Sequence, residues 1–90
     1  MKGTVAIVGL GRIGLPLALS FADHGLDVIG VEKQKQVSDL IQAGEMPFEE
    51  TGTQELLERV LPTGRLSIAD SIHQAAEADD ADVVAHAFGG

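Results

Sequence analysis

Three glycines, Gly9, Gly11 and Gly14, follow directly on the apolar run Val5-Ala6-Ile7-Val8, and this junction restricts the fold more than any other stretch of the chain. A continuous apolar run of that length suits a strand covered on both faces, as in parallel sheets flanked by helices. Beyond the glycines, Ile13, Leu17, Ala18 and Phe21 recur at helical spacing, and Gly25 stands where a helix-ending glycine is expected. Pro16 is compatible with a helix that starts near Arg12, because the first N–H groups of a helix have no intrahelical partner to lose. A second apolar run, from Asp27, ends in Glu32. Strand, tight turn, helix, strand, acid is the order of a dinucleotide-binding βαβ unit.

The rest of the chain continues the alternation. Val37, Leu40 and Ile41 are spaced i, i+3, i+4 and are followed by Gly44, which predicts a short second helix. Glu45 to Gly52 reads as a loop, and Thr51 with Gln54 three residues on predicts a capping box. The helix so opened would bury Leu56, Leu57, Val60 and Leu61 and stop at Pro62 and Gly64. Arg65 to Ala69 alternates like a strand, Asp70 or Ser71 caps a helix over Ile72 to Ala78, and Ala81 to Phe88 is the last strand. Four strands alternating with helices imply an α/β fold with a parallel sheet and right-handed crossovers. The expected architecture is a partial Rossmann-type doubly wound sheet, four strands in the order 3-2-1-4.

Each glycine of the turn has its own reason to lack a side chain. Gly9 makes the sharp exit from the strand, Gly11 lets the main chain approach a pyrophosphate, and Gly14 lets the helix pack closely on the strand. The pyrophosphate would sit at the helix N-terminus, where free N–H groups and the helix dipole favour an anion. Glu32 follows Gly14 by 18 residues, close to the ~20 expected of an acid that accepts hydrogen bonds from the adenosine ribose. A carboxylate there repels a 2′-phosphate and predicts NAD rather than NADP, with Lys33 and Lys35 as the opposing consideration. Arg12, between the second and third glycines, either adds a charge-assisted contact to the diphosphate or points to solvent.

Other function classes fall away. A net charge of −8 and only three aromatic residues, all Phe, argue against a nucleic-acid partner. With no Cys there is no disulfide, thiolate metal site or cysteine nucleophile. His24, His73 and His86 lack metal-ligand spacing, and His86, which interrupts the last apolar run, reads as a strand histidine rather than a base. Glu49-Glu50 and Asp79-Asp80 read as solvated acids. No 18-residue apolar span exists, so no membrane partner is expected and the chain is read as cytoplasmic.

The stretch Val5-Ala6-Ile7-Val8-Gly9-Leu10-Gly11-Arg12-Ile13-Gly14-Leu15-Pro16-Leu17-Ala18 closely resembles the opening of the UDP-glucose/GDP-mannose dehydrogenases. These are NAD-dependent enzymes that oxidise the C6 alcohol of a nucleotide sugar. Val28-Ile29-Gly30-Val31-Glu32, Ala43-Gly44-Glu45, Pro47-Phe48, Glu55-Leu56-Leu57, Gly64-Arg65-Leu66 and Ala81-Asp82-Val83-Val84 extend the resemblance along the chain. It implies that Gly9, Leu10, Gly11, Arg12, Ile13 and Gly14 surround the pyrophosphate, that Glu32 holds the ribose, and that Lys35 is the nearest match to a lysine contacting the nucleotide. Arg12 departs from a position often aromatic in relatives, and Glu50-Thr51-Gly52 departs from their Glu-Pro-Gly.

Residues 1–90 are therefore expected to form a truncated NAD-binding domain, without the family's catalytic cysteine and inactive alone. A nucleotide-sugar substrate would belong to the full-length enzyme only. The competing readings are a β-hydroxyacid or 6-phosphogluconate-type dehydrogenase, against which Leu15-Pro16-Leu17 argues, and a non-enzymatic module forming a homo-oligomer through an exposed sheet edge.

Overall fold

The computed structural model describes residues 4–71 and the backbone of residues 83–86. Strand β1 (Thr4–Val8) leads through the glycine turn to helix α1 (Gly14–Asp23), and β2 (Asp27–Val31) leads to α2 (Lys35–Gln42). Helix α3 (Thr53–Val60) runs into a 3₁₀ turn (Leu61–Thr63) before β3 (Leu66–Ala69), and β4 is Val83–His86. The α/β class and a parallel sheet are as the sequence predicts. Val8 lies opposite Val31 across β1 and β2, and Val31 opposite Ala69 across β2 and β3. On its other side β1 pairs in parallel with β4, Val8 opposite His86, which gives the order β3-β2-β1-β4. The helix expected over Ile72 to Ala78, His73, and Asp79-Asp80 lie outside the described residues.

Strand alternation divides the core in two. Val5, Ile7, Val28 and Leu66 pack with Leu15, Leu19, Ile41, Leu57 and Val60 of the three helices, while Ala6, Ile29, Val31 and Ala69 form a smaller cluster on the opposite face. Successive crossovers from β1 to β2 to β3 move in one direction across the sheet, so right-handedness puts α1, α2 and α3 on one face. The glycine turn then opens at the carboxyl ends of the strands, where open α/β sheets bind ligands.

The buried face of α1 is only partly the one the sequence suggested: Ala18 is buried and Phe21 packs against the core, but Ile13 and Leu17 do not. Ile13 is 57% exposed and Leu17 37%, whereas Leu15, Ala18, Leu19 and Ala22 are buried. The reason is the helix start: α1 begins at Gly14, so Ile13 belongs to the turn, and the stripe 15, 18, 19, 22 is the one facing the sheet. Leu19→Ala should therefore cost roughly 2–5 kcal/mol, and Leu17→Ala less than about 1 kcal/mol, as read from urea denaturation.

The predicted capping box is also absent. Gly52 (φ +84°) caps α3, and the Thr53 hydroxyl donates to the Glu50 carbonyl at 2.7 Å. Gln54 reaches backwards instead, accepting from the Met46 N–H at 3.0 Å and donating to the Gly44 carbonyl at 2.7 Å. The predicted helix stops hold. Gly25 and Gly44, both at positive φ, each follow a helix, with Gly25 N–H bonded to Ala22 and Leu26 N–H to Phe21.

Arg59 of α3 grips Asp23 at the end of α1 through two bonds, Nε to Oδ1 at 3.0 Å and Nη2 to Oδ2 at 3.1 Å. Hydrogen bonding and charge from Arg59 hold the Asp23 carboxyl below its ordinary value of 3.8. A depressed carboxyl stabilises the fold above its unfolded pKa, and that contribution disappears as pH falls through the folded value. Asp23→Asn should melt slightly below the parent at neutral pH, and the two melting curves should converge on acidification below the usual aspartate range.

Candidate functional site

Two consecutive amides of the glycine turn build the site. The Gly9 N–H still pairs with the Val31 carbonyl at 2.9 Å, extending the ladder of β1 and β2 by one bond. The chain then turns at Gly9 (φ +91°), a conformation that side chains resist. The next amide, Leu10 N–H, donates to Glu32 Oε1 at 3.0 Å. Glu32 is itself anchored to the sheet, its N–H donating to the Ala69 carbonyl at 2.8 Å. Its second carboxylate oxygen accepts the Gln34 N–H at 3.0 Å. The acid at the end of β2 thus clasps both the glycine turn and the start of α2.

Around this clasp lies a cavity of about 390 Å³, within the range of small-molecule sites. Gly9, Leu10, Gly11, Arg12 and Glu32, five of the residues singled out in the sequence, line it. Gln34, Val37, Pro47 and Phe48 complete the lining, and none of these four was singled out as a site residue. Beyond Gly11 the chain enters α1, whose first helical bond runs from Leu15 N–H to the Gly11 carbonyl at 3.0 Å. Amides earlier in that turn have no helical acceptor, which suits an anion.

The remaining predicted residues lie elsewhere. Gly14 is buried at the start of α1, and Ile13 is exposed beside it. Lys35 is bound to Asp39 at 2.8 Å, and with Glu32 and Lys33 it lines a second cleft of about 280 Å³. It does not reach the cavity over the glycine turn. Arg12 does, with its guanidinium 5.2 Å from the centre of the Phe48 ring. A larger cleft, about 630 Å³, follows the loop from Met46 to Gln54 and shares Pro47 and Phe48 with the first. Glu49 and Glu50 beside it are exposed, consistent with solvated acids.

These features fit the adenosine diphosphate half of a dinucleotide. Positive φ at Gly9 turns the chain out of the strand, the amides at the start of α1 precede its first helical acceptor, and the Glu32 carboxylate is held beside them by the Leu10 N–H. Among the described residues, no helix is long and apolar enough to cross a membrane.

Residues 3–87 match the family described as the UDP-glucose/GDP-mannose dehydrogenase family, NAD binding domain. A UDP-N-acetyl-D-mannosamine dehydrogenase of Methanococcus maripaludis is 37% identical over 71 residues, covering 79% of this chain and 17% of the relative. A GDP-mannose 6-dehydrogenase of Pseudomonas syringae is 35% identical over 80 residues, covering 89% and 18%. Among solved structures, a UDP-glucose dehydrogenase from the archaeon Pyrobaculum islandicum superposes with a TM-score of 0.88 at 32% identity, over 97% of this chain and 20% of that one. The chain spans about a fifth of the length of these relatives.

Proposed function

Because the chain belongs to the UDP-glucose/GDP-mannose dehydrogenase family, as its NAD-binding domain, we propose that it supplies the cofactor site of a nucleotide-sugar 6-dehydrogenase. In this reading Gly9, Leu10, Gly11, Arg12, Ile13 and Gly14 form the diphosphate cradle and Glu32 holds the adenosine ribose. The observation that carries it is the bond from Leu10 N–H to Glu32 Oε1, which joins the cradle and the ribose acid in one cavity. Lys35, which lines a cleft together with Glu32, is the proposed lysine contact to the nucleotide, on the ribose side rather than at the glycine turn. The four-strand order is read as one half of a doubly wound sheet, residues 1–90 as one NAD-binding unit and the cytoplasm as its compartment.

NAD, when bound, accepts hydride from the alcohol carbon of a substrate. The residues of this chain hold and orient the adenosine end. Helix N–H groups and Arg12 meet the phosphates, and Glu32, fixed by two backbone amides, accepts the ribose hydroxyls without having to reorganise. The fixed carboxylate also excludes a 2′-phosphate by charge. A UDP- or GDP-linked sugar is the proposed substrate of the longer enzyme, by analogy with the relatives' names. The ninety residues themselves contain no cysteine to act as a nucleophile and are proposed to bind NAD without turning over a sugar.

Calorimetry with both cofactors tests the reading. NAD is expected to bind at least about tenfold more tightly than NADP, from the repulsion of two nearby negative charges. No NADH should form with any UDP- or GDP-sugar. Equal or tighter NADP binding would remove the ribose role of Glu32, and turnover by the ninety residues would overturn the division of labour.

A further inference from the structure

We propose that Phe48 is a positioning residue for Arg12, holding its guanidinium as a strap across the glycine-turn cavity so that its N–H edge meets the diphosphate. The proposal rests on the dinucleotide reading above. Arg12 belongs to the glycine turn and Phe48 to the loop between α2 and α3, and both line the cavity. The guanidinium carbon lies 5.2 Å from the ring centre, within cation–π range. A planar guanidinium resting on a ring keeps its donors available at the edge, in the fork geometry that suits a phosphate.

Two further observations separate this contact from an incidental one. Arg59 and Arg65 are each bound to a carboxylate, Asp23 and Asp27, whereas Arg12 has no ion pair among the described residues. In a chain carrying fourteen acids and six Lys and Arg, with Glu32 in the same cavity, an uncompensated cation at the mouth offsets the repulsion a diphosphate would meet. Phe48 is also held in place. Gln54 bonds to the Met46 N–H and the Gly44 carbonyl, and Thr53 bonds to the Glu50 carbonyl, so the loop is tied to α3 on both sides of the ring.

The test compares ADP-ribose with adenosine, which lacks the diphosphate, by NMR titration of the ninety-residue chain. Phe48→Leu should weaken ADP-ribose about three- to fivefold and leave adenosine unchanged, while Phe48→Tyr retains parental affinity for both. Arg12→Met should weaken ADP-ribose by about tenfold, and adding Phe48→Leu to it should cost nothing more. Equal weakening of both probes, or penalties that add in the double variant, would mean that Phe48 is only a wall and overturn the proposal. Should Phe48→Leu fail to fold, Gln54→Leu at an exposed position frees the same loop without touching ring or guanidinium. It should give the same diphosphate-selective loss, and unchanged ADP-ribose affinity there would overturn the proposal. A parent chain that does not bind ADP-ribose at all would overturn the dinucleotide reading and the strap together. A parent that binds, with Phe48→Leu unaltered, would overturn the strap alone.

Discussion

Glu32→Gln is expected to weaken NAD binding by ten- to a hundredfold and to lower the melting temperature even without nucleotide. The substitution is nearly isosteric, so the effect comes from hydrogen-bond capacity and charge. Glu32 accepts the Leu10 N–H on one oxygen and the Gln34 N–H on the other, each at 3.0 Å. A glutamine has one acceptor oxygen, and its NH₂ would face an amide donor. One of the two backbone groups must lose its partner, which costs about 1–3 kcal/mol when the group is buried and less where water can reach it. Gln34 is exposed and Leu10 is buried, so the glutamine oxygen should stay with Leu10 and the start of α2 should loosen. The ribose hydroxyls then lose a charged acceptor, worth roughly 1.5–3 kcal/mol, or about ten- to a hundredfold in affinity. Calorimetry with NAD and melting curves with and without it separate the two effects. Lost binding with an unchanged apo melting temperature would keep the ribose role and remove the clasp. Undiminished NAD affinity would remove Glu32 from the site.

The parts of this site that could be read from the sequence are those fixed by local rules. Gly9 precedes a helix and follows a strand, and the end of β2 at Val31 puts Glu32 at the sheet's carboxyl edge; both follow from neighbours in sequence. What could not be read depends on contacts between distant segments. Gln54 matched a capping box because Thr51 stands three residues earlier, but its amide finds Gly44 and Met46 once the loop folds back. Phe48 carried no site signal, being one aromatic residue beside a proline, and only the folded loop brings it to Arg12. Lys35 could be placed near Glu32 by position, but its exposed pairing with Asp39 one helical turn on and its place on the neighbouring cleft show only in the folded chain. The helical periodicity of α1 placed Ala18 and Phe21 correctly but not Ile13 and Leu17, since apolar spacing alone leaves open whether Ile13 lies inside the helix or in the turn before it.

Gly30→Val is expected to destabilise the fold and abolish measurable NAD binding, although residue 30 does not line the cavity. Gly30 lies within β2, paired with Ile7 and Ile68, so it needs neither a turn nor a positive φ. Its role is to leave room. A Cβ there would stand 2.6 Å from Leu10 Cδ1, 3.0 Å from Cδ2 and 3.2 Å from Cγ. Leu10 is 1% exposed and belongs to the main core cluster, so its side chain cannot swing into solvent. Relief comes from repacking Leu10 against its core neighbours or from shifting the glycine turn, and in the second case the Leu10 amide that bonds Glu32 moves with it. Gly30→Ala would gain about 0.4–1 kcal/mol from a less flexible unfolded chain, against roughly 1–3 kcal/mol for overpacking, a net loss. Valine adds two methyl groups to the same contact and should exceed the upper figure. The pair Gly30→Ala with Leu10→Ala tests the mechanism by opening space where the new Cβ falls. If steric pressure on Leu10 is the cause, adding Gly30→Ala to Leu10→Ala should cost little or be stabilising, as read from urea denaturation. The same penalty in both backgrounds would place the conflict elsewhere in the strand and break the link from Gly30 through Leu10 to Glu32.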